Sequence, residues 1–362
     1  IVALYRPGPM GSGMMDMYIE RKNGREEVTY FHPSLEPLLE ETKGVVVYQE
    51  QVMRITNVLA GFTLPDADNL RKAMGKKKPE ILAQFRDKFV DGCEANGLPR
   101  DQGTEIWNQL EHFAGYGFNK SHTVAYGLIT YQTAFLKRHY PREFMAALLT
   151  CEMADMDKIT EYIEEARRMG IDVLPPDVSK SDWQFTVEGE NIRYGLAAIK
   201  GVGRAAADAV ATGRAPEEDG EDEQGYDSVF DLCERVELGN LNRATLESLV
   251  KAGAFDGTGA RRAQVAAVVE RALSLGQAAA KDRSAGQFNL FGEAAAEESA
   301  PDYPDEPDWP ERDQLAWERE HIGYYATNHP LAKHERRLRL LANARTADLD
   351  EVPDRTAVTL GG

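Results

Sequence analysis

The sequence predicts a mainly α-helical protein that contains one small β-hairpin. Apolar residues recur at helical spacing along most of the chain, and Gly and Pro residues interrupt this pattern between the segments. The exception is the segment 183–194, where apolar and polar residues alternate on both sides of Gly189. Such alternation across a glycine is typical of two short antiparallel strands, so we expect the hairpin there.

Individual helices follow from the apolar spacing and from the residues that stop it. Pro79 suits the start of a helix that Gly92 or Gly97 ends. Further helices are expected at 49–60, around 106–113, and at 121–140, 143–153, 158–169, 196–212, 228–236, 242–252, 260–275 and 331–342. The helix over 121–140 carries one apolar stripe, made of Val124, Leu128, Tyr131 and Phe135. Residues 356–360 predict a strand.

The charge of the chain is strongly acidic but unevenly distributed. The 362 residues include 42 Lys and Arg and 60 Asp and Glu, a net charge of −18, which taken whole argues against a nucleic-acid-binding protein. Residues 1–150, however, hold 18 basic and 18 acidic residues, so the entire excess lies in 151–362. Much of it falls in the runs 217–223 and 293–320, which we interpret as solvated linkers. The net charge therefore does not exclude local basic sites that bind DNA.

Cysteine usage and hydropathy indicate a cytoplasmic protein. Cys93, Cys151 and Cys233 lie far apart and form no C-x-x-C pair, which fits a reducing interior and gives no thiolate metal site. No apolar run approaches the roughly 18 residues of a transmembrane helix, and no signal peptide is visible, so no membrane partner is expected. Because the chain starts at Ile1 rather than Met, we interpret it as a piece of a longer polypeptide.

Two basic segments are candidate phosphate sites. Lys120 and His122 open the helix over 121–140, where Asn119 or Ser121 can cap the helix and leave free N–H groups for an anion. The second segment, RKAMGKKK at 71–78, places five cations around a glycine, namely Arg71, Lys72, Lys76, Lys77 and Lys78. The simpler alternatives are a capped helix with a solvated face and an exposed charged turn.

Asp66 and Asp68 form the one carboxylate pair that resembles a metal site. Two carboxylates on one element can hold the divalent ions of nucleotidyl transfer. Asp66 is also a good N-cap after Pro65, and Asp68 then lies in the acid-favouring first turn. We prefer the capping interpretation, so the sequence predicts no metal site.

Residues 195–207 predict a helix–hairpin–helix turn. Gly201 and Gly203 expose backbone N–H groups to a DNA phosphate, and Lys200 and Arg204 neutralise its charge. A dinucleotide-binding fingerprint would need a preceding strand, which the helical surroundings do not provide. Residues 241–260 resemble a second, degenerate hairpin, with these cations available: Arg243, Lys251, Arg261 and Arg262.

An isolated apolar pentapeptide, QFNLF at 287–291, interrupts the polar segment. Apolar plugs in such segments are typical of peptides that dock into a partner's pocket, and Gln287, Leu290 and Phe291 are the candidate contacts.

Several of these motifs resemble the bacterial DNA polymerase III alpha subunit family. The segments that carry the resemblance are LYRPGP at 4–9, YQEQVM at 48–53, RKAMGKKK at 71–78, FAGYGFNKSH at 113–122 and YQT at 131–133. The resemblance implies a fingers domain at 1–175, a tandem helix–hairpin–helix region at 176–275 and an acidic linker at 276–320. It also implies that 287–291 binds the beta sliding clamp, and that 321–362 holds a helix and the truncated start of an OB-like domain.

The resemblance further implies what the chain would bind. Arg71, Lys76, Lys77, Lys78, Lys120 and His122 would face the phosphates of the incoming deoxynucleoside triphosphate (dNTP). Lys200, Gly201, Gly203, Arg204 and Arg243 would contact primer–template DNA. In this family Mg²⁺ is held by aspartates of the palm, upstream of Ile1, so this piece alone is expected to be inactive. The other implied partners are the clamp loader and a proofreading exonuclease.

Two other functions stay open at this point. A non-catalytic DNA-binding and clamp-tethering protein would use only the hairpins and the pentapeptide. An error-prone relative of the same polymerase would share all the motifs.

Overall fold

The computed structural model describes residues 2–75, 79–114, 117–214, 225–284, 303–344, 346, 349 and 352–361. Contacts between Cα atoms divide the chain into a first unit, residues 1–135, and a second unit, residues 136–362. This division by contacts does not test the predicted boundary between the fingers domain and the helix–hairpin–helix region at residue 175, which stays a prediction.

The regular elements of the first unit are helices, joined by turns and loops in its described residues. Its helices are α1 (Pro7–Gly11), α2 (Met14–Lys22), α3 (Glu36–Leu39), α4 (Gln49–Ala60), α5 (Leu64–Gly75), α6 (Pro79–Ala95), α7 (Arg100–Ala114) and α8 (Lys120–His139), the last of which extends beyond residue 135. The helices α4 to α7 pack around one apolar core, to which each contributes a fully buried side chain: Ile55, Leu70, Phe89 and Trp107.

The ends of α4 and α6 show how local sequence sets the helix bounds. The prediction of a helix over 49–60 is confirmed, and Gly61 ends it with a φ of +69°. Gly92 does not end α6. It lies inside that helix where a Cβ would collide with the carbonyl oxygen of Ala60, so glycine is needed for the close packing of α6 on α4.

The prediction that Asp66 caps α5 is wrong. Thr63 stands before the helix, and its hydroxyl accepts a hydrogen bond from the Asp66 amide at 3.3 Å. The Asp66 carboxylate accepts from the Thr63 hydroxyl in return at 2.7 Å. The two residues therefore form a reciprocal capping box, and α5 begins one turn earlier than predicted.

Helix α8 forms as predicted, but no described residue on it is buried. Val124, Leu128 and Tyr131 of its apolar stripe are 61%, 57% and 67% exposed. The stripe is therefore a surface of this chain and does not belong to its core.

The second unit combines helices with a three-stranded sheet. Its elements are α9 (Pro141–Cys151), α10 (Met156–Arg168), β1 (Val173–Leu174), β2 (Thr186–Glu188), β3 (Asn191–Arg193), α11 (Arg204–Thr212), α12 (Val229–Arg235), α13 (Arg243–Lys251), α14 (Arg262–Ser284), α15 (Glu311–Ile322) and α16 (Glu335–Leu341). The strand order is β1-β3-β2, with β1 parallel to β3 and β2 antiparallel to it. The predicted hairpin is therefore confirmed, and β1 adds to its edge.

Three segments of the second unit differ from the sequence predictions. Residues 196–198 form a 3₁₀ turn, so the segment before the Gly201 turn is not α-helical. Helix α15 forms where the acidic composition predicts a solvated linker, because Leu315 and Ile322 face the core at helical spacing. Residues 356–360 form no strand among the described residues. The Asn343 amide donates to the Thr359 carbonyl, and the Thr359 amide donates to the side-chain oxygen of Asn343, but these two bonds at one residue make no ladder.

Within the described part of the chain, none of the helices combines the length and the apolar character needed to cross a membrane.

Candidate nucleic-acid interface

The first candidate site lies where α4 and α8 begin. The Phe118 amide donates to the Val47 carbonyl at 3.1 Å, and the Gln49 amide donates to the Phe118 carbonyl at 2.9 Å. This short parallel bridge brings the starts of the two helices together, although 70 residues separate them. The N-terminal ends of both helix dipoles therefore lie beside Phe118.

The free N–H groups at the start of α8 are partly taken. The side-chain oxygen of Asn119 accepts from the His122 amide at 2.9 Å, which confirms Asn119 as the cap. The Glu50 carboxylate accepts from the Lys120 amide at 3.0 Å, and the Lys120 ammonium pairs with Glu41 at 2.5 Å. An anion that binds here would have to replace these carboxylates.

His122 belongs to a line of stacked cationic and aromatic groups. Its ring stacks on that of Tyr126, with centroids 4.5 Å apart and planes 18° from parallel. It also makes a T-shaped contact with the Phe118 ring, with centroids 5.1 Å apart, and the Arg6 guanidinium lies 4.7 Å from the centre of the Phe118 ring. The ring of Tyr126 is half exposed, so the line ends on an open aromatic face.

Arg71 joins this region through a small cleft. It lines the cleft together with Gln49, Val52, Met74 and Gly117, which are residues from the starts of α4 and α8 and from the end of α5. Its guanidinium is also paired with Asp68 at 2.8 Å. The structure thus brings Arg71 close to the start of α8, whereas Lys76, Lys77 and Lys78 lie outside the described residues.

Asp66 and Asp68 do not fit a magnesium site. Asp66 is bound to Thr63 and pairs with Lys88 at 2.8 Å, and Asp68 pairs with both Arg71 and Lys72. The hydrogen bonds from Lys88 and from Lys72 are the main causes that lower the pKa values of Asp66 and Asp68. In the described residues no group of three or more His, Cys, Asp or Glu is placed to hold a metal ion.

The second candidate site is the glycine turn that precedes α11. Gly201 has a φ of +92°, and a Cβ on it would lie 2.5 Å from the Ser248 hydroxyl, so both conformation and space require glycine. Gly203 is the N-cap of α11 with an ordinary φ of −77°, and a Cβ on it would meet no atom within 4 Å. The fold therefore explains Gly201 but leaves the absence of a side chain at Gly203 unexplained.

The cations of this turn have carboxylate partners. Lys200 pairs with Glu320 at 3.0 Å, and Arg204 pairs with Asp208 at 3.3 Å. The Arg204 guanidinium also lies 3.3 Å from the centre of the Trp183 ring. The aromatic contact fixes the direction of Arg204, which a sequence separation of 21 residues does not reveal.

The cations of the predicted second hairpin serve mainly structure. Arg262 is buried and pairs with Asp256 at 2.6 Å and with Glu318 at 2.9 Å, so the expectation that it is available to DNA is wrong. Arg243 is exposed and pairs with Glu247 at 2.6 Å and with Glu270. The predicted clamp-binding residues Gln287, Leu290 and Phe291 lie outside the described residues.

The fold and these sites define the class of protein: a mainly helical protein with cations at helix starts in its first unit and a glycine turn before a helix in its second. Residues 1–97 match the family model of the bacterial DNA polymerase III alpha subunit finger domain, and residues 170–265 match that of the helix-hairpin-helix motif. The DNA polymerase III subunits alpha of Pseudomonas aeruginosa, Haemophilus influenzae and Escherichia coli K12 are 43%, 46% and 42% identical to this chain. The alignments cover 100%, 96% and 100% of the chain. They cover 32%, 30% and 32% of those relatives, so the chain spans about a third of their length.

The chain therefore belongs to the bacterial DNA polymerase III alpha subunit family.

Proposed function

We propose that this chain is the part of a replicative DNA polymerase that binds the incoming dNTP, the primer–template duplex and the sliding clamp in the cytoplasm. The observation that carries the proposal is that Arg71 lines one cleft with Gly117, just before α8. The chain that holds this cleft aligns over its whole length with DNA polymerase III alpha subunits. A protein that only tethers DNA to a clamp has no need for such a nucleotide site.

The nucleotide site would work by exchange of carboxylates for phosphates. Near the starts of α4 and α8, Lys120 pairs with Glu41 and Arg71 pairs with Asp68. Each of these carboxylates carries a single negative charge at the surface. A triphosphate carries more negative charge than either carboxylate. It can therefore bind both cations and also interact favourably with the N-terminal ends of the two helix dipoles. Lys76, Lys77 and Lys78 follow in sequence and would add further cations.

The turn at Gly201–Gly203 would contact the DNA backbone. The open space at Gly203 suits the approach of a phosphate to the start of α11, with Lys200, Arg204 and Arg243 as neutralising cations. Contacts of this kind position the duplex without reading its sequence. The pentapeptide at 287–291 would bind the clamp, and the clamp loader and proofreading exonuclease would be further partners.

Magnesium would be supplied by another region of the polymerase. Among the described residues, no cluster of carboxylates or histidines fits the ion. The expectation that this piece alone polymerises nothing stays a prediction.

The nucleotide site is tested by Lys120→Ala in the full-length parent polymerase. Loss of a charge-assisted contact costs about 1.5–3 kcal/mol, so the KM for dNTP should rise at least about tenfold while the Kd for primer–template stays within twofold. Steady-state primer extension and fluorescence anisotropy measure the two quantities.

Arg138→Ala is the matched control, because it removes one cation from the exposed far end of the same helix. A KM for Lys120→Ala that equals that of Arg138→Ala would show that Lys120 does not meet the nucleotide.

A further inference from the structure

Lys200, the first residue of the glycine turn, is held by α15 at two points. Its amide donates to the His321 carbonyl at 2.9 Å, and its ammonium pairs with Glu320 at 3.0 Å. Glu320 lies 120 residues along the chain from Lys200, and His321 follows it. Lys200, which is predicted to contact DNA, is therefore bound to a helix from a distant part of the sequence.

The core keeps Glu320 beside Lys200. Ile322, two residues after Glu320, is fully buried, and the buried Tyr194 hydroxyl donates to its carbonyl at 3.1 Å. The end of α15 is thus part of the folded unit. Glu320 has little freedom to leave Lys200 by movement of its backbone.

Both charged groups are nevertheless open to solvent. The side chains of Lys200 and Glu320 are 62% and 54% exposed. The hydrogen bond from Lys200 is the main cause that lowers the pKa of Glu320, so the carboxylate is ionised at neutral pH. It offers Lys200 the same charge that a DNA phosphate would offer.

We propose that Glu320 competes with a DNA phosphate for Lys200 and so keeps the binding of the glycine turn to duplex DNA weak. The inference rests on the proposed DNA contact of this turn. A phosphate that takes Lys200 must displace Glu320, which then recruits a cation from solution, so fewer counter-ions are released overall when DNA binds. A weak contact of this kind allows the duplex to be released and bound again as it moves past the turn.

Removal of the competing charge should strengthen DNA binding. Exposed ion pairs are weak, so Glu320→Gln should lower the Kd for duplex DNA about twofold to fivefold at low salt. The salt dependence should become steeper, since the freed Lys200 releases its own counter-ion when DNA binds.

The test measures fluorescence anisotropy of a labelled DNA duplex with the full 362-residue chain over a range of salt concentrations. Glu311→Gln is the matched control, because Glu311 lies on the same helix, carries the same charge and pairs with Lys333 at 3.5 Å, away from the turn. Glu320→Gln should bind DNA more tightly than Glu311→Gln. In a Lys200→Gln background, Glu320→Gln should have no effect beyond that of Glu311→Gln.

Two results would overturn the inference in distinguishable ways. Equal Kd values for Glu320→Gln and Glu311→Gln, with Lys200→Gln weaker than the unchanged chain, would leave the DNA contact intact and remove the role of Glu320. A Kd for Lys200→Gln equal to that of the unchanged chain would remove the proposed contact of Lys200 with DNA, and the competition with it.

Discussion

At the scale of single residues, the two glycines of the turn before α11 are needed for different reasons. Gly201 is required by the fold, since its φ is positive and Ser248 occupies the space of a side chain. Nothing in the described chain requires Gly203 to lack a side chain. A residue that the fold does not restrict, in a place where a phosphate would approach, is the better probe of function.

We therefore predict that Gly203→Ala weakens DNA binding with little change in stability. The added methyl group meets no protein atom within 4 Å, and alanine accepts a φ of −77°. Alanine lowers the entropy of the unfolded chain but is a poorer N-cap than glycine, so the free energy of unfolding should change by less than about 1 kcal/mol. The same methyl group would push a phosphate away from the start of α11, and the Kd for duplex DNA should rise about tenfold for a lost charged hydrogen bond. Urea unfolding and anisotropy titration measure the two effects.

Gly239→Ala is the control for this substitution, because Gly239 also has open space around it and lies in a different turn of the same unit. Identical DNA affinity for the two variants would argue that no phosphate approaches Gly203. Gly201→Ala is a poor probe, since it should destabilise the turn and so lower DNA binding indirectly.

At the scale of secondary-structure elements, the sequence predicts helices well where the signals are local. Helix α4 has an apolar repeat, a Gln51 side chain that accepts from the amide of Tyr48 just before the helix, and a glycine directly after it. Its bounds match the prediction. Helix α15 also has a glycine directly after it, Gly323, but its apolar residues are sparse and half of its twelve residues are charged. One of its buried residues is the carboxylate of Glu318. Its burial depends on Arg262, which lies 56 residues away, and no local pattern reveals that pairing.

The same distinction holds for the candidate sites. The motifs indicate Lys120 and Lys200 as cations near helix starts, and Arg71 as part of a basic segment around a glycine. They do not reveal that Glu41, Asp68 and Glu320 already pair with them, since two of these pairs join residues 79 and 120 positions apart. The cations were thus predictable from residue type, whereas their electrostatic state depends on tertiary packing.

Helix α15 gives a prediction at this scale. Glu318 is fully buried, accepts from the amides of Ala326 and Thr327 at 2.8 and 3.0 Å and pairs with Arg262. Glu318→Ala leaves buried donors unpaired, so we expect a loss of about 3 kcal/mol in the free energy that keeps α15 docked. Hydrogen exchange should accelerate in Glu311–Ile322 and in the chain that follows it.

Glu311→Ala removes the same kind of residue from an exposed pair on α15 and should change that free energy by less than about 1 kcal/mol. Equal exchange rates in the two variants would mean that the buried carboxylate does not hold the helix.

At the scale of the whole molecule, each unit has its own apolar core. One fully buried cysteine lies in each: Cys93 in the cluster of α4 to α7, and Cys233 in the cluster of the second unit. Burial raises the pKa of the Cys93 thiol to about 11 and that of Cys233 to about 12. The third cysteine, Cys151, is exposed at the end of α9.

These thiols predict separate unfolding of the two units. Only the thiolate reacts with an electrophile, and in the folded state both buried thiols stay protonated and inaccessible at pH 8, so each reacts only after its own core opens. Since the two cores share no residue, labelling of Cys93 and Cys233 in a Cys151→Ser chain should show two different urea midpoints. Mass spectrometry of the labelled peptides distinguishes the two sites, and Cys151 in the unchanged chain reports immediate labelling without urea.

A single shared midpoint would mean that the cores unfold as one cooperative body. Two midpoints would mean that one unit, with the site proposed in it, can unfold while the other unit stays folded.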